Sequence, residues 1–266
     1  VRSLISSYIF VTQIIFLCVF AFLAGFIDSI VGGGGLIQLP ALLVFLPSTP
    51  LTLIFGTNKL SSIAGTSAAV ISYSKAVKFN LKISVTSAIF AFIFSFIGAK
   101  TVSVINPAIM RPIVLVLLVI VAIYTFFKKD FGSEHIPKTR GVEQVIYAAL
   151  IGTSLGFYDG FLGPGTGSFL IFAFIGILGF DFLKASASAK IVNFCTNLAA
   201  LIYFASTHNI IYQLALPMAI CNIIGATVGA RVAIVKGSAF IRVLFITVVS
   251  LLIIKLAYDI SVECIS

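Results

Sequence analysis

Long apolar runs separated by short polar connections occupy nearly the whole chain. Ten stand out, at about residues 4–27, 36–54, 57–73, 81–105, 110–127, 142–158, 167–180, 187–205, 210–230 and 239–257. A helix needs about 20 apolar residues to cross a bilayer, and about 17 is the lower limit. The runs at 81–105, 110–127, 210–230 and 239–257 read as ordinary spans. Those at 36–54 and 167–180 are short or interrupted, by Pro40 and Pro47 in one and Gly176 in the other, and predict tilted, broken or re-entrant helices. Backbone polar groups in lipid need internal partners, so helices are the default. A β-barrel would show segments of about ten residues alternating apolar and polar, whereas these runs are continuous. The pattern predicts an all-α polytopic integral membrane protein with eight to ten membrane segments. The run from Leu4 to Ala24 has the look of a signal peptide but no Ala-x-Ala cleavage site, and is expected to stay as the first membrane segment.

Composition points the same way. Of 266 residues, 60% are apolar and 9% charged, with mean hydropathy +1.20, against about 25% charged in a soluble domain. The net charge of +9 comes from basic residues scattered singly or in connections. That placement suits lipid headgroups and the positive-inside rule, not nucleic acid. Trp is absent, but Tyr8, Tyr73, Tyr124, Tyr147 and Tyr258 fall near expected membrane boundaries. Cys18, Cys195, Cys221 and Cys264 show no CxxC or Cys/His spacing, and His135 and His208 read as loop residues. No metal or other cofactor is expected. No nucleophile–base arrangement is visible, so the expectation is a protein that is not an enzyme.

The chain repeats itself. At an offset of 131 residues and without a gap, Gln13 meets Gln144, Asp28 meets Asp159, Lys59 meets Lys190, Lys100 meets Arg231 and Arg111 meets Arg242. Gly25, Gly32, Gly34 and Gly98 likewise meet Gly156, Gly163, Gly165 and Gly229. Polar matches at one fixed offset mean more than apolar ones in so greasy a sequence. The expected division is a first membrane repeat at 1–127, a cytoplasmic linker at 128–141, a second repeat at 142–258 and a C-terminal tail at 259–266. The connection near 74–82 holds Lys75, Lys78 and Lys82, while its counterpart near 205–213 holds no Lys or Arg. Conversely, the turn at 101–110 has no basic residue, and its counterpart has Lys236. If basic loops face the cytoplasm, the repeats are inverted and both termini are periplasmic; a parallel arrangement is the alternative. Inverted repeats around a midplane site are a recurrent transporter design.

Two glycine-rich segments carry the strongest chemical signal: AGFIDSIVGGGGLIQLP from Ala24 and LGFYDGFLGPGTGSF from Leu155. Gly32, Gly33, Gly34 and Gly35 in the first, and Gly163, Gly165 and Gly167 around Pro164 and Thr166 in the second, predict helix breaks. A helix restarting at Leu36 or Ser168 would offer unpartnered N–H groups and a positive dipole end, a seat for an anion. The alternative is close helix packing through small residues, which is preferred for Gly98 and Gly229. Asp28 and Asp159 precede the breaks by four residues and are candidates for coupling to a proton; turn capping is their alternative. Lys59 and Lys190 lie among small polar residues, including Asn58, Ser62, Asn193 and Asn197, and could attract an anion. Their alternative is a Lys–Asp pair within each half. Asp181 and Lys184 mark the mouth of a segment, and Arg111 and Arg242 snorkel toward headgroups.

With AGFIDSIVGGGG (Ala24–Gly35), GTNK (Gly56–Lys59), GFYDGFLGPGTGSF (Gly156–Phe169) and AKIVNF (Ala189–Phe194) set out, the chain resembles the TauE/SafE family of sulfite and organic-anion exporters, in particular its YfcA-like branch, over almost its whole length. The resemblance implies a bacterial inner-membrane exporter of a small anion, sulfite or an organosulfur compound, working as a secondary transporter by alternating access. It also implies that the glycine motifs, Asn58–Lys59 and Lys190/Asn193 are characteristic elements. The expected partners are that anion, membrane lipid and a coupling proton. A non-transporting membrane scaffold is the alternative function. Gly33 and Gly35 stand where the second motif has Pro164 and Thr166, so the halves are expected to contribute unequally.

Overall fold

A computed structural model describes residues 2–102, 139 and 141–265. The apolar run at 110–127, nearly all of the linker, Arg111, Tyr124 and His135 lie outside the described residues, as do the side chains of Tyr8, Arg242, Tyr258 and Cys264. The described chain is all helix: α1 (Arg2–Val31), α2 (Gly35–Phe45), α3 (Leu51–Ser74), α4 (Leu81–Thr101), α5 (Val142–Phe161), α6 (Thr166–Gly176), α7 (Phe182–Ser206) and α8 (Tyr212–Ile265). α8 joins the last two apolar runs across a kink at Gly237, whose φ is 72° and ψ −171°, and it continues to Ile265.

Four stretches are long and apolar enough to cross a membrane: Thr12–Val31, Leu81–Thr101, Phe182–Ser206 and Tyr212–Ile241. α2 and α6 have 11 residues each, about 16 Å of rise and roughly half the hydrocarbon core. The run at 36–54 is therefore two elements. A turn holding Pro47 ends α2, and residues 51–54 instead open α3. Lipid contact is legible on α4, where Leu81, Val85, Ile89, Ile93 and Ile97 form an exposed stripe. On α8 the equivalent positions, Tyr212, Leu216, Ile220, Ile224 and Val228, do the same.

Helix starts recur at the 131-residue offset, since α2, α3 and α4 begin at 35, 51 and 81 and α6, α7 and α8 at 166, 182 and 212. The packing is reciprocal. The first helix of each half lies along the fourth described helix of the other, α1 on α8 and α5 on α4. Small residues permit the approach: Gly152, Gly156 and Gly160 of α5 rest on Ser87, Ala91 and Ser95 of α4, and Gly98 rests on Phe157. Gly225 and Gly229 of α8 rest on Phe22 and Phe26 in the same way. Gly98 and Gly229 are thus packing residues. At the centre α3 and α7 pass antiparallel: Gly56, near the start of α3, meets Phe204 near the end of α7, while Asn197 Nδ2 donates to Thr66 Oγ1 at 3.4 Å.

Candidate functional site

The two breaks are built alike and touch. Gly32 and Gly163, at equivalent positions, have φ of 79° and 87°, a region that costs an L-residue about 1–2 kcal/mol. Gly32 lies directly on the backbone of Gly167, leaving no space for a Cβ on either. Ser168 clips the contact, its N–H donating to Gly32 O at 3.0 Å and its hydroxyl to Val31 O at 2.9 Å. The breaks differ where their sequences differ: Gly165 has φ 82°, while Gly34 is right-handed at −58°.

The helices restart at Gly35 and Thr166, slightly earlier than expected, and the expected donors are already used. Leu36 N–H donates to Gly33 O at 3.1 Å, and Ser168 N–H crosses to the other half. Gly34 N–H donates to Asp28 Oδ1 at 3.2 Å. The amides of Gly35 and Gly167 have no acceptor among the described residues. Tight turns and the contact between breaks satisfy their neighbours, so among the described residues these two amides are the ones left open at the breaks.

Each lysine pairs with the aspartate of the opposite half. Lys59 Nζ donates to Asp159 Oδ2 at 2.7 Å and to Asp159 O at 2.8 Å. Lys190 Nζ donates to Asp28 Oδ2 at 2.7 Å. The alternative of a pair within each half is corrected: the ion pairs exist, but the reciprocal packing sets each break against the other half's long helix and crosses them. Removing one partner of a buried pair costs about 3–5 kcal/mol.

Between the pairs lies a polar cavity. Asp28, Lys59 and Asp159 line it, with the backbones of Gly32, Gly34, Gly35, Gly163 and Gly167 and the side chain of Thr166. Asn58 and Asn193 line it too, each with an amide oxygen that has no partner among the described residues. Gly33, Gly165 and Lys190 do not line it. Lys190 is fully buried behind Asp28.

Residues 17–256 match the family described as sulfite exporter TauE/SafE. The chain belongs to this family. It is 35% identical over 244 residues to "Probable membrane transporter protein ORF9" of a Sinorhizobium species, covering 92% of each chain. It is 34% identical over 245 residues to a "Probable membrane transporter protein" of Haemophilus influenzae, covering 92% and 94%. It is 33% identical over 241 residues to "Probable membrane transporter protein YfcA" of Escherichia coli K12, covering 90% and 87%. No solved structure matches. A TauE/SafE chain with helices able to cross a bilayer is a membrane transporter.

Three wall residues of this TauE/SafE protein escaped the reading of the sequence. Gln38 on α2 accepts from Asn222 Nδ2 at 2.8 Å and from Ser61 Oγ at 3.4 Å, and Thr66 accepts from Asn197. Gln38 and Asn222 correspond to Phe169 and Ala91 in the other half, so the repeat does not point to them. A signal did exist, since an amide within an apolar membrane run needs a polar partner. Asn222 is also wedged between Gly25 and Gly65, a contact between three helices far apart in sequence. The cavity has a volume of about 30 Å³, room for a water and not for a multi-oxygen anion beside the closed pairs.

Proposed function

We propose that this transporter exports a small anion, sulfite or a related organosulfur or organic anion, across the bacterial inner membrane by alternating access. The observation that carries the reading is the pair of crossed Lys–Asp contacts facing one polar cavity where the two helix breaks meet. Two lysines and two aspartates make the paired cluster neutral. An anion that replaces an aspartate on its lysine leaves that carboxylate unpaired unless it takes up a proton. Anion binding and protonation of Asp28 or Asp159 are therefore coupled, and the proton is the coupling ion, leaving with the anion down the anion's own outward gradient. Gly35 and Gly167 N–H groups and the amides of Asn58 and Asn193 supply the remaining contacts.

Opening requires the pairs to part, because they tie one half to the other. The antiparallel passage of α3 and α7, which are equivalent helices, supports inverted halves that rock about the cavity. The basic connection at Lys75, Lys78 and Lys82 supports a cytoplasmic placement of that end and periplasmic termini. A polar cavity with buried charges gives a scaffold nothing to do, so the scaffold alternative is not favoured.

The test is sulfite flux in proteoliposomes for Lys59→Gln and Lys190→Gln. Both are expected to lose at least about tenfold in rate, in keeping with the loss of one charged contact worth roughly 1.5–3 kcal/mol. Flux at the wild-type rate in both folded variants would sink the lysine role.

A further inference from the structure

The connection between α3 and α4 and the one between α6 and α7 meet over a second cavity, of about 430 Å³. Lys78, Asn80, Phe180, Lys184 and Ser188 line it. Lys78 is exposed, and Lys184 is 39% exposed and held only loosely by Asp181 at 3.8 Å. The cavity lies at the N-terminal ends of α4 and α7, whose caps are Asn80 and Asp181. Two helix N-termini and two lysines, Lys78 from the α3–α4 connection and Lys184 from the first turn of α7, border one concave space.

The same place in the other half, 131 residues away, is shut. Asn209 and Leu53 stand where Lys78 and Lys184 stand here, and Ile211 and Thr57 replace Asn80 and Ser188. Ile211 N–H donates to Thr57 Oγ1 at 3.0 Å, and Thr52 Oγ1 donates to Asn209 Oδ1 at 2.9 Å. Gly56 lets the Asn209 carbonyl close onto α3 with no space for a Cβ. Because α3 and α7 run antiparallel, the two places are opposite ends of the same helix pair. One end is sealed and uncharged; the other is open and cationic. From Lys184 the six residues to Lys190 cover about 9 Å along α7, so the open end lies less than two turns from the buried pair.

We propose that the Lys78–Lys184 cavity is a docking vestibule for a small oxyanion, which is collected there before it moves along α7 to the central cavity. The proposal rests on the anion-transport reading above. Exposed lysines of this kind raise the local concentration of an anion more than they hold it, and salt screens the effect.

The test uses the full-length protein in phosphatidylcholine vesicles with sulfite as the probe. For Lys78→Gln/Lys184→Gln, KM at low salt is expected to rise ~5-fold at unchanged Vmax, with the gap shrinking at high salt. Lys184→Arg, which keeps the charge, should retain the wild-type KM. An unchanged low-salt KM in the double variant overturns the vestibule. A KM effect confined to vesicles containing phosphatidylglycerol also overturns it, by assigning the lysines to lipid headgroups. If the wild type moves no sulfite, the transport reading falls instead. Calorimetric titration of detergent-purified protein with sulfite then decides the vestibule, weaker binding by the double variant supporting it and equal binding overturning it.

Discussion

Lys59–Asp159 and Lys190–Asp28 are the same residue types at the same repeat positions, with the same 2.7 Å contact, yet their surroundings differ. Lys59 is gripped by both the carboxylate and the backbone carbonyl of Asp159, and both side chains are almost fully buried. In the other pair Lys190 is sealed, but the Asp28 side chain is 23% exposed and shares its second oxygen with the N–H of Gly34. A carboxylate that is part-exposed and held at the start of a half-helix is placed to exchange its partner. One that is enclosed, with its lysine gripped a second time by the backbone carbonyl of the same aspartate, is placed to clamp. Duplicated chemistry has been divided by its setting into a tighter joint and a looser one.

The sharpest way to break this comparison is Asp28→Asn, which leaves the fully buried Lys190 without its carboxylate and should also slow proton-coupled sulfite flux. It should cost about 3–5 kcal/mol, seen as a large drop in Tm of the detergent-purified protein. Asp159→Asn should cost less, on the order of 1–3 kcal/mol, because Lys59 keeps the backbone carbonyl of Asp159. Equal losses of Tm would show that the two joints are equivalent. Next comes the pair of breaks. Gly163→Ala meets both a positive φ and the Lys59 ammonium and should cost about 1–3 kcal/mol. Gly35→Ala, at a φ that is not positive and with its added Cβ 3.2 Å from Pro164, should cost less by the same melting assay. The smallest effect is expected at the sealed end, where Thr57→Val removes the acceptor for Ile211 N–H. A loss of about 1 kcal/mol should accompany faster labelling of a cysteine placed at position 53.

Much of this was readable in one dimension. Residues such as Asp28, Gly32 and Lys59 announced themselves because each is costly in lipid and each recurs at one spacing. Gln38 and Asn222 did not, because each has an apolar counterpart and acquires its role only from the other. The expected free N–H of Ser168 was misjudged for a related reason. Helix rules count partners within one segment, and this N–H bonds to a glycine carbonyl 136 residues away.

By itself the amino-acid sequence determined the solvent, the helical class, the register of the repeat and the residues too polar or too small to be incidental. Those properties are local: hydropathy sets the solvent, and glycine and proline set the breaks. Which aspartate meets which lysine, which amides remain open and which end is sealed were decided only by tertiary structure. Those depend on how α1 lies on α8 and α5 on α4, and close packing of two interlocked halves is a property of surfaces that no single segment carries.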